Sequence, residues 1–151
     1  MADPFRIRSA ATTDLERVAA IERDVFSDPW PASAFVPLLE SDALVAEAGD
    51  QIAGYLFGRS AADEAEILNL AVVPRYRRQG VGRHLLEVAL ARWGPRGIAR
   101  VYLEVRTSNT SAQAFYQALG FELAGVRRGY YSQPPEDATV LAKNLAPRRR
   151  K

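Results

Sequence analysis

The sequence has no cysteine. That one absence removes disulfides, thiolate metal centres and a cysteine nucleophile together. A single histidine, His84, stands in 151 residues. It is too few for a histidine-rich metal centre, reads as a helix-surface residue, and no metal is expected. No apolar run approaches the roughly 18–20 residues that span a bilayer, so no membrane contact is expected. The opening Met1-Ala2-Asp3-Pro4-Phe5-Arg6 lacks the basic segment and apolar stretch of a secretion signal, and the expected location is cytoplasmic. Neither sign of charge dominates: 20 basic residues against 18 acidic leave +2. That is too little to mark a nucleic-acid binder by itself.

What remains is an ordinary globular composition, with 48% hydrophobic and 25% charged residues, enough to bury a core without staples. One domain over residues 1–146 is expected, followed by a basic tail at 147–151 that ends Arg148-Arg149-Arg150-Lys151. The tail reads as a solvated terminus, and weak contact through it is the one route to nucleic acid. Elements alternate in type, which predicts an α/β or α+β fold with a mixed sheet. Phe5 to Arg8 alternates as a first strand. Thr13 with Glu16 forms a capping-box signal for a helix carrying Leu15, Val18 and Ala19. Pro29-Trp30-Pro31 breaks the chain before a short helix through Phe35 to Leu39. Ala43 to Ala48 and Ile52 to Gly58 form two strands around Gly49-Asp50, and Ala65 to Val73 is a third apolar run, its Ile67 to Val73 read as the central strand, ended by Pro74. A helix from about Gly80 to Trp93, a strand from Ala99 to Val105 and a helix from Thr110 to Leu119 follow. Two last strands, Phe121 to Val126 and Thr139 to Leu145, are joined by a long connection rich in tyrosine and proline.

The most informative stretch is Arg75-Tyr76-Arg77-Arg78-Gln79-Gly80-Val81-Gly82, between a strand and a helix. Glycines at a helix start let a ligand approach the backbone. The first-turn amides lack intrahelical acceptors and lie at the positive end of the helix dipole. Diphosphate suits such a site, and arginines add charge-assisted bonds to its oxygens. A P-loop would need lysine and then serine or threonine after the last glycine, where Arg83 and His84 stand. A dinucleotide fingerprint would need a small residue at Leu85. The plain alternative is a surface helix that merely begins with glycines beside solvated arginines.

Arg77-Arg78-Gln79-Gly80-Val81-Gly82 resembles the acetyl-CoA signature of the GNAT superfamily of N-acetyltransferases. Further blocks resemble its RimI branch, the bacterial protein N-terminal acetyltransferases. They are Phe26 to Trp30, Leu68-Asn69-Leu70-Ala71-Val72, Leu103-Glu104-Val105-Arg106-Thr107-Ser108-Asn109, Ala114 to Phe121, Arg127-Arg128-Gly129-Tyr130-Tyr131 and Glu136-Asp137-Ala138. The short, proline-rich Ser132-Gln133-Pro134-Pro135 connection departs from that pattern. The resemblance implies a central, splayed, mixed sheet with helices on both faces and acetyl-CoA in the splay. It implies cofactor contacts from the backbone of Leu70, Ala71 and Val72, from Arg77, Arg78, Gln79, Gly80, Val81 and Gly82, and from Asn109 and Tyr116. Pantetheine would then lie as an added strand, with the Val72 amide on the thioester carbonyl. Glu104 is implied as general base and Tyr116 as the acid that protonates the departing thiolate, with direct transfer in a ternary complex.

Each role has a plainer rival. Without the resemblance, Glu104 reads as a solvated strand carboxylate, Tyr116 as part of a core stripe with Ala112, Phe115 and Leu119, and Asn109 as a helix cap; with it, catalysis is the expectation for Glu104. Trp30, Tyr130 and Tyr131 are candidate walls of the acceptor site, or ordinary packing. The implied acceptor is a protein N-terminus, with the terminal alanine of a small-subunit ribosomal protein as reference. The alternatives are a small amine or lysine as acceptor, or a non-catalytic acyl-CoA-binding sensor.

Overall fold

The computed structural model describes residues Phe5 to Leu145, so the basic tail lies outside the described residues. Among the described residues, seven strands and four α-helices follow in the expected order. They are β1 (Arg6–Ser9), α1 (Leu15–Val25), α2 (Ala32–Phe35), β2 (Asp42–Ala48), β3 (Gln51–Ala61), β4 (Glu64–Val72), α3 (Val81–Trp93), β5 (Arg100–Arg106), α4 (Thr110–Ala118), β6 (Glu122–Ser132) and β7 (Pro135–Asn144). The strand order is β1-β2-β3-β4-β5-β7-β6. The β4–β5 pair is parallel, while β1–β2, β2–β3, β5–β7 and β6–β7 are antiparallel, so the sheet is mixed. The chain divides into two compact units, one of residues up to Arg59 with Ile67–Trp93, the other of Ser60–Glu66 with the residues from Gly94 on.

In the first unit, alternation along β2 and β3 sends side chains to two faces. Val45, Tyr55 and Phe57 meet Leu15 and Val18 of α1 and Phe35 of α2, together with Ala71 of β4. The Phe35 ring lies 4.7 Å from Phe57 and 6.1 Å from Tyr55, an aromatic cluster whose members each contribute about 1.5–3 kcal/mol by burial. The other face belongs to α3. At Gly54 a Cβ would stand 2.7 Å from the Ala71 carbonyl oxygen and 3.1 Å from Val81, so only glycine lets β3, β4 and the start of α3 approach this closely. Helix α3 buries Val81, Leu85, Leu86, Ala89 and Trp93, and Arg92 stays outside.

The entry to α1 differs from the capping box expected of Thr13 and Glu16. A 3-10 turn over Thr12–Asp14 comes first. Asp14 turns its carboxylate back, accepting from the Ala11 amide at 2.7 Å and from both Arg8 terminal nitrogens at 2.8 Å. The Arg8 guanidinium holds the Asp14 carboxyl below its ordinary range. A bidentate ion pair to β1 outcompetes a hydroxyl cap at this corner.

In the second unit the largest difference is at the end of the chain. The tyrosine- and proline-rich segment expected as a long connection continues both strands, and the turn shrinks to Gln133-Pro134. The pairing Arg127↔Ala138 is followed by Tyr131↔Glu136, so β6 carries extra residues there. Gly129, with φ +62°, takes up the bulge, and its amide donates to Asp137 Oδ1 at 2.8 Å. Arg106 of β5 fastens the turn, donating to the carbonyls of Pro134 at 2.8 Å and Gln133 at 2.9 Å.

Candidate active site

The first unit carries the glycine motif. After Val72, a turn of Pro74–Tyr76 leads into an exposed loop and then α3. Gly80 has φ +84° and its carbonyl accepts from the His84 amide at 2.9 Å, so it is the residue that launches the helix. The following amides have no acceptor within the helix by geometry. Arg78 has φ +64°, a conformation that costs a non-glycine residue about 1–2 kcal/mol. Two residues expected at the phosphates also brace the loop: Arg77 Nε donates to the Val72 carbonyl at 3.2 Å, and Gln79 Nε2 to the Arg75 carbonyl at 3.1 Å. The loop thus ties itself to the end of the strand that carries Leu70, Ala71 and Val72. A diphosphate fits the donor set, which is backbone amide and guanidinium with no carboxylate among Arg75 to Gly82.

The same unit holds a carboxylate that sequence reasoning left without a role. Glu22 is 1% exposed and sits on the buried stripe of α1. The Tyr55 hydroxyl donates to it at 2.7 Å, the Asn69 amide at 3.0 Å to each oxygen, and the Trp30 backbone N–H at 3.1 Å. Burial, then the Glu22 charge, push the Tyr55 hydroxyl well above its usual ionisation range. Glu22 therefore anchors both Trp30 and β4, whose next residues are the expected backbone contacts. Trp30 itself packs on Phe35 at 5.2 Å. The Asn69 oxygen is buried without a partner, since its donor end must face the carboxylate.

The second unit brings Glu104, Tyr116 and Tyr131 into one electrostatic cluster. The Glu104 side chain is 5% exposed, and Arg127 Nε lies 3.0 Å from its Oε2. Burial first, then hydrogen bonding and repulsion from Glu66, push Glu104 up to about 7 against the pull of Arg127. Tyr116 is the buried residue of α4, its ring 5.0 Å from Phe115 and 5.5 Å from Phe121. Burial, then the nearby Tyr131, keep its hydroxyl protonated far above neutrality. Tyr131 is pushed up to about 12, first by burial and then by Tyr130, and the Arg106 guanidinium lies 4.3 Å over its ring. Tyr130 meets Tyr131 edge to face, ring centres 5.0 Å apart, and is about half exposed. Asn109 caps α4, its Oδ1 accepting from the Ala112 amide at 3.1 Å. The helix-cap reading of that residue is what the structure shows. Sequence reasoning missed Glu66, which it took as one letter of an apolar run, and Arg106, which it took as part of a motif without a role.

A family model described as the acetyltransferase (GNAT) family matches residues 15–121, and the chain belongs to that family of N-acetyltransferases. The ribosomal protein bS18-alanine N-acetyltransferase of Escherichia coli K12 is 38% identical over 140 residues, covering 90% of this chain and 95% of that protein. The N-alpha-acetyltransferase RimI of Mycobacterium tuberculosis H37Rv is 36% identical over 153 residues, covering 94% of each. The crystal structure of the Escherichia coli ribosomal-protein-S18-alanine N-acetyltransferase matches with a TM-score of 0.87 and 36% identity over 94% of both chains. Among the described residues no helix is long and apolar enough to cross a membrane.

Proposed function

We propose that this acetyltransferase moves the acetyl group of acetyl-CoA onto the α-amino group of a protein N-terminus, with the terminal alanine of ribosomal protein bS18 as reference acceptor. The two units are read as halves of one catalytic domain over residues 1–146. Acetyl-CoA supplies an acetyl thioester. The amides from Gly80 to Gly82 and the arginines of the loop hold its diphosphate, the backbone of Leu70, Ala71 and Val72 lies along its pantetheine, and the Val72 amide polarises the thioester carbonyl. Asn109 adds a weaker contact while it caps α4. Glu104 takes the amine's proton and Tyr116 protonates the leaving sulfur. Trp30, Tyr130 and Tyr131 wall the acceptor.

The observation that carries this reading is the Glu104 carboxyl held at about 7. A peptide α-amine ionises at about 7.7–8.0, so freeing it at pH 7 costs about 1 kcal/mol, whereas a lysine near 10.4 costs about 4–5 kcal/mol. A base near 7 is matched to the first task and not to the second. The protonated Tyr116 suits a general acid that acts after the carbon–sulfur bond begins to break. Names of the relatives point the same way, being those of alanine and N-alpha acetyltransferases.

Incubation of the enzyme and acetyl-CoA with peptides of defined first residue, read by mass spectrometry, tests this. Acetylation at the α-nitrogen of alanine-initiated peptides, with internal lysines untouched, is expected. Turnover of polyamines or lysine side chains in preference to those peptides would overturn the acceptor assignment. Acetyl-CoA binding without any transfer would point to a sensor.

A further inference from the structure

Glu66 of β4 is registered against Tyr102 of β5 in the parallel pair. Side chains alternate along a strand, so Tyr102 and Glu104 share a face, and the residue beside Tyr102 shares it with them. Glu66 is only 7% exposed, on the face it shares with Glu104, and its carboxyl raises the Glu104 carboxyl above the ordinary carboxylate range. Arg127 meets one charge of the pair, at the other side of Glu104. A single buried glutamate facing an arginine is an ordinary ion pair. The second glutamate adds repulsion and desolvation that an apolar residue of similar volume would avoid, so packing gives no reason for it. What the pair can do, and a lone carboxylate cannot, is hold a newly arrived proton between two acceptors.

We propose that Glu66 is a positioning residue for acetyl transfer: once Glu104 has taken the proton of the attacking amine, the Glu66 carboxylate accepts that proton's hydrogen bond and fixes the Glu104 carboxyl in one orientation. This rests on the reading of Glu104 as the base. The amine nitrogen bonds to the acetyl carbonyl carbon as the carbon–sulfur bond breaks. The N–H proton passes to Glu104, where Glu66 shares it, and the departing sulfur takes a proton from Tyr116. Glu104 then gives its proton to water, from which Tyr116 is replenished. The groups that face Glu104 are Glu66 from β4 and Arg127 and Tyr131 from β6. Tyr131 in turn feels Tyr116 from α4, Arg106 from β5 and Glu136 from β7.

The test follows the Glu104 carboxyl by carbon-13 NMR in the full chain with labelled glutamate, assigned with Glu104→Gln, alongside steady-state kinetics. In Glu66→Gln the Glu104 midpoint is expected to fall by about one pH unit. Turnover at pH 7 is expected to drop about tenfold, with KM for acetyl-CoA unchanged. Glu66→Asp keeps the charge but withdraws it by one methylene, and a smaller fall in the same direction is expected. It also keeps the question answerable if the glutamine variant does not fold. Midpoints unmoved in both variants would overturn the proposal even if rates fell, because a purely structural role leaves the Glu104 titration in place. A Glu104→Gln enzyme with wild-type turnover is a different result, and it would remove the base assignment itself.

Discussion

Glu22 and Glu104 are both glutamates taken out of water, yet the molecule surrounds them in opposite ways. Glu22 faces neutral donors only: a phenol, a side-chain amide and a backbone amide converge on its two oxygens. Such a shell leaves neither oxygen without a donor. Glu104 faces a second carboxyl and a guanidinium, charges of opposite sign that pull its ionisation in opposite directions. The balance leaves it near neutrality, where protonation can change during a reaction. Burial alone therefore does not mark a catalytic acid or base. The donors around the carboxylate do. One glutamate fastens the α1–α2 connection to β4, and the other, in the mechanism proposed, changes state.

Removing Glu22 is the largest stability effect expected in the molecule. Glu22→Leu leaves the Tyr55 hydroxyl, the Asn69 amide and the Trp30 N–H buried without an acceptor, at about 1–3 kcal/mol each when fully exposed to the loss. Partial relaxation puts the expected total near 3–5 kcal/mol, read by denaturant unfolding. A loss below about 1 kcal/mol would mean that the network is not what holds this corner, and the contrast with Glu104 would break.

A smaller effect sharpens the comparison through pH. Glu104 sits above its ordinary value of 4.5 in the folded chain, so the native state binds its proton more tightly than the unfolded chain does. The stability this confers is present below that value and is lost as pH rises through about 7. The expected decline is on the order of 1–3 kcal/mol, and it should be absent from Glu104→Gln. A decline of the same size in that variant would assign the pH dependence to other groups.

Much of the first unit was legible because local pattern and tertiary structure agree there. Apolar spacing located α1 and α3, Gly49-Asp50 marked the β2–β3 turn, and the glycines placed the loop before α3. Glu22 was also legible in principle, because a charged residue at the i+7 position of a stripe begun by Leu15, Val18 and Ala19 asks for a buried partner. The partners, Tyr55 and Asn69, lie 33 and 47 residues away, and no local pattern could name them. Glu66 was hidden for the same reason: its neighbour across the parallel pair, and hence Glu104, is fixed by register and not by spacing. The β6–β7 segment was misread as loop because its strand character comes from contacts outside it. Arg106 holds the turn carbonyls, and Asp137 fixes the Gly129 amide, so proline and glycine there shape a hairpin rather than end one. At Asn109 the local sequence alone was enough for one of its two readings, since the side chain caps α4 as its place before the helix asks.

The base assignment is tested most directly by single-turnover acetyl transfer from pre-bound acetyl-CoA to an alanine-initiated peptide, followed across pH in the wild type and Glu104→Gln. The wild-type rate is expected to climb through a limb near pH 7, and the variant to bind acetyl-CoA normally, transfer slowly and lose that limb. A variant that keeps both the wild-type rate and the limb would contradict Glu104 as the group that takes the amine's proton.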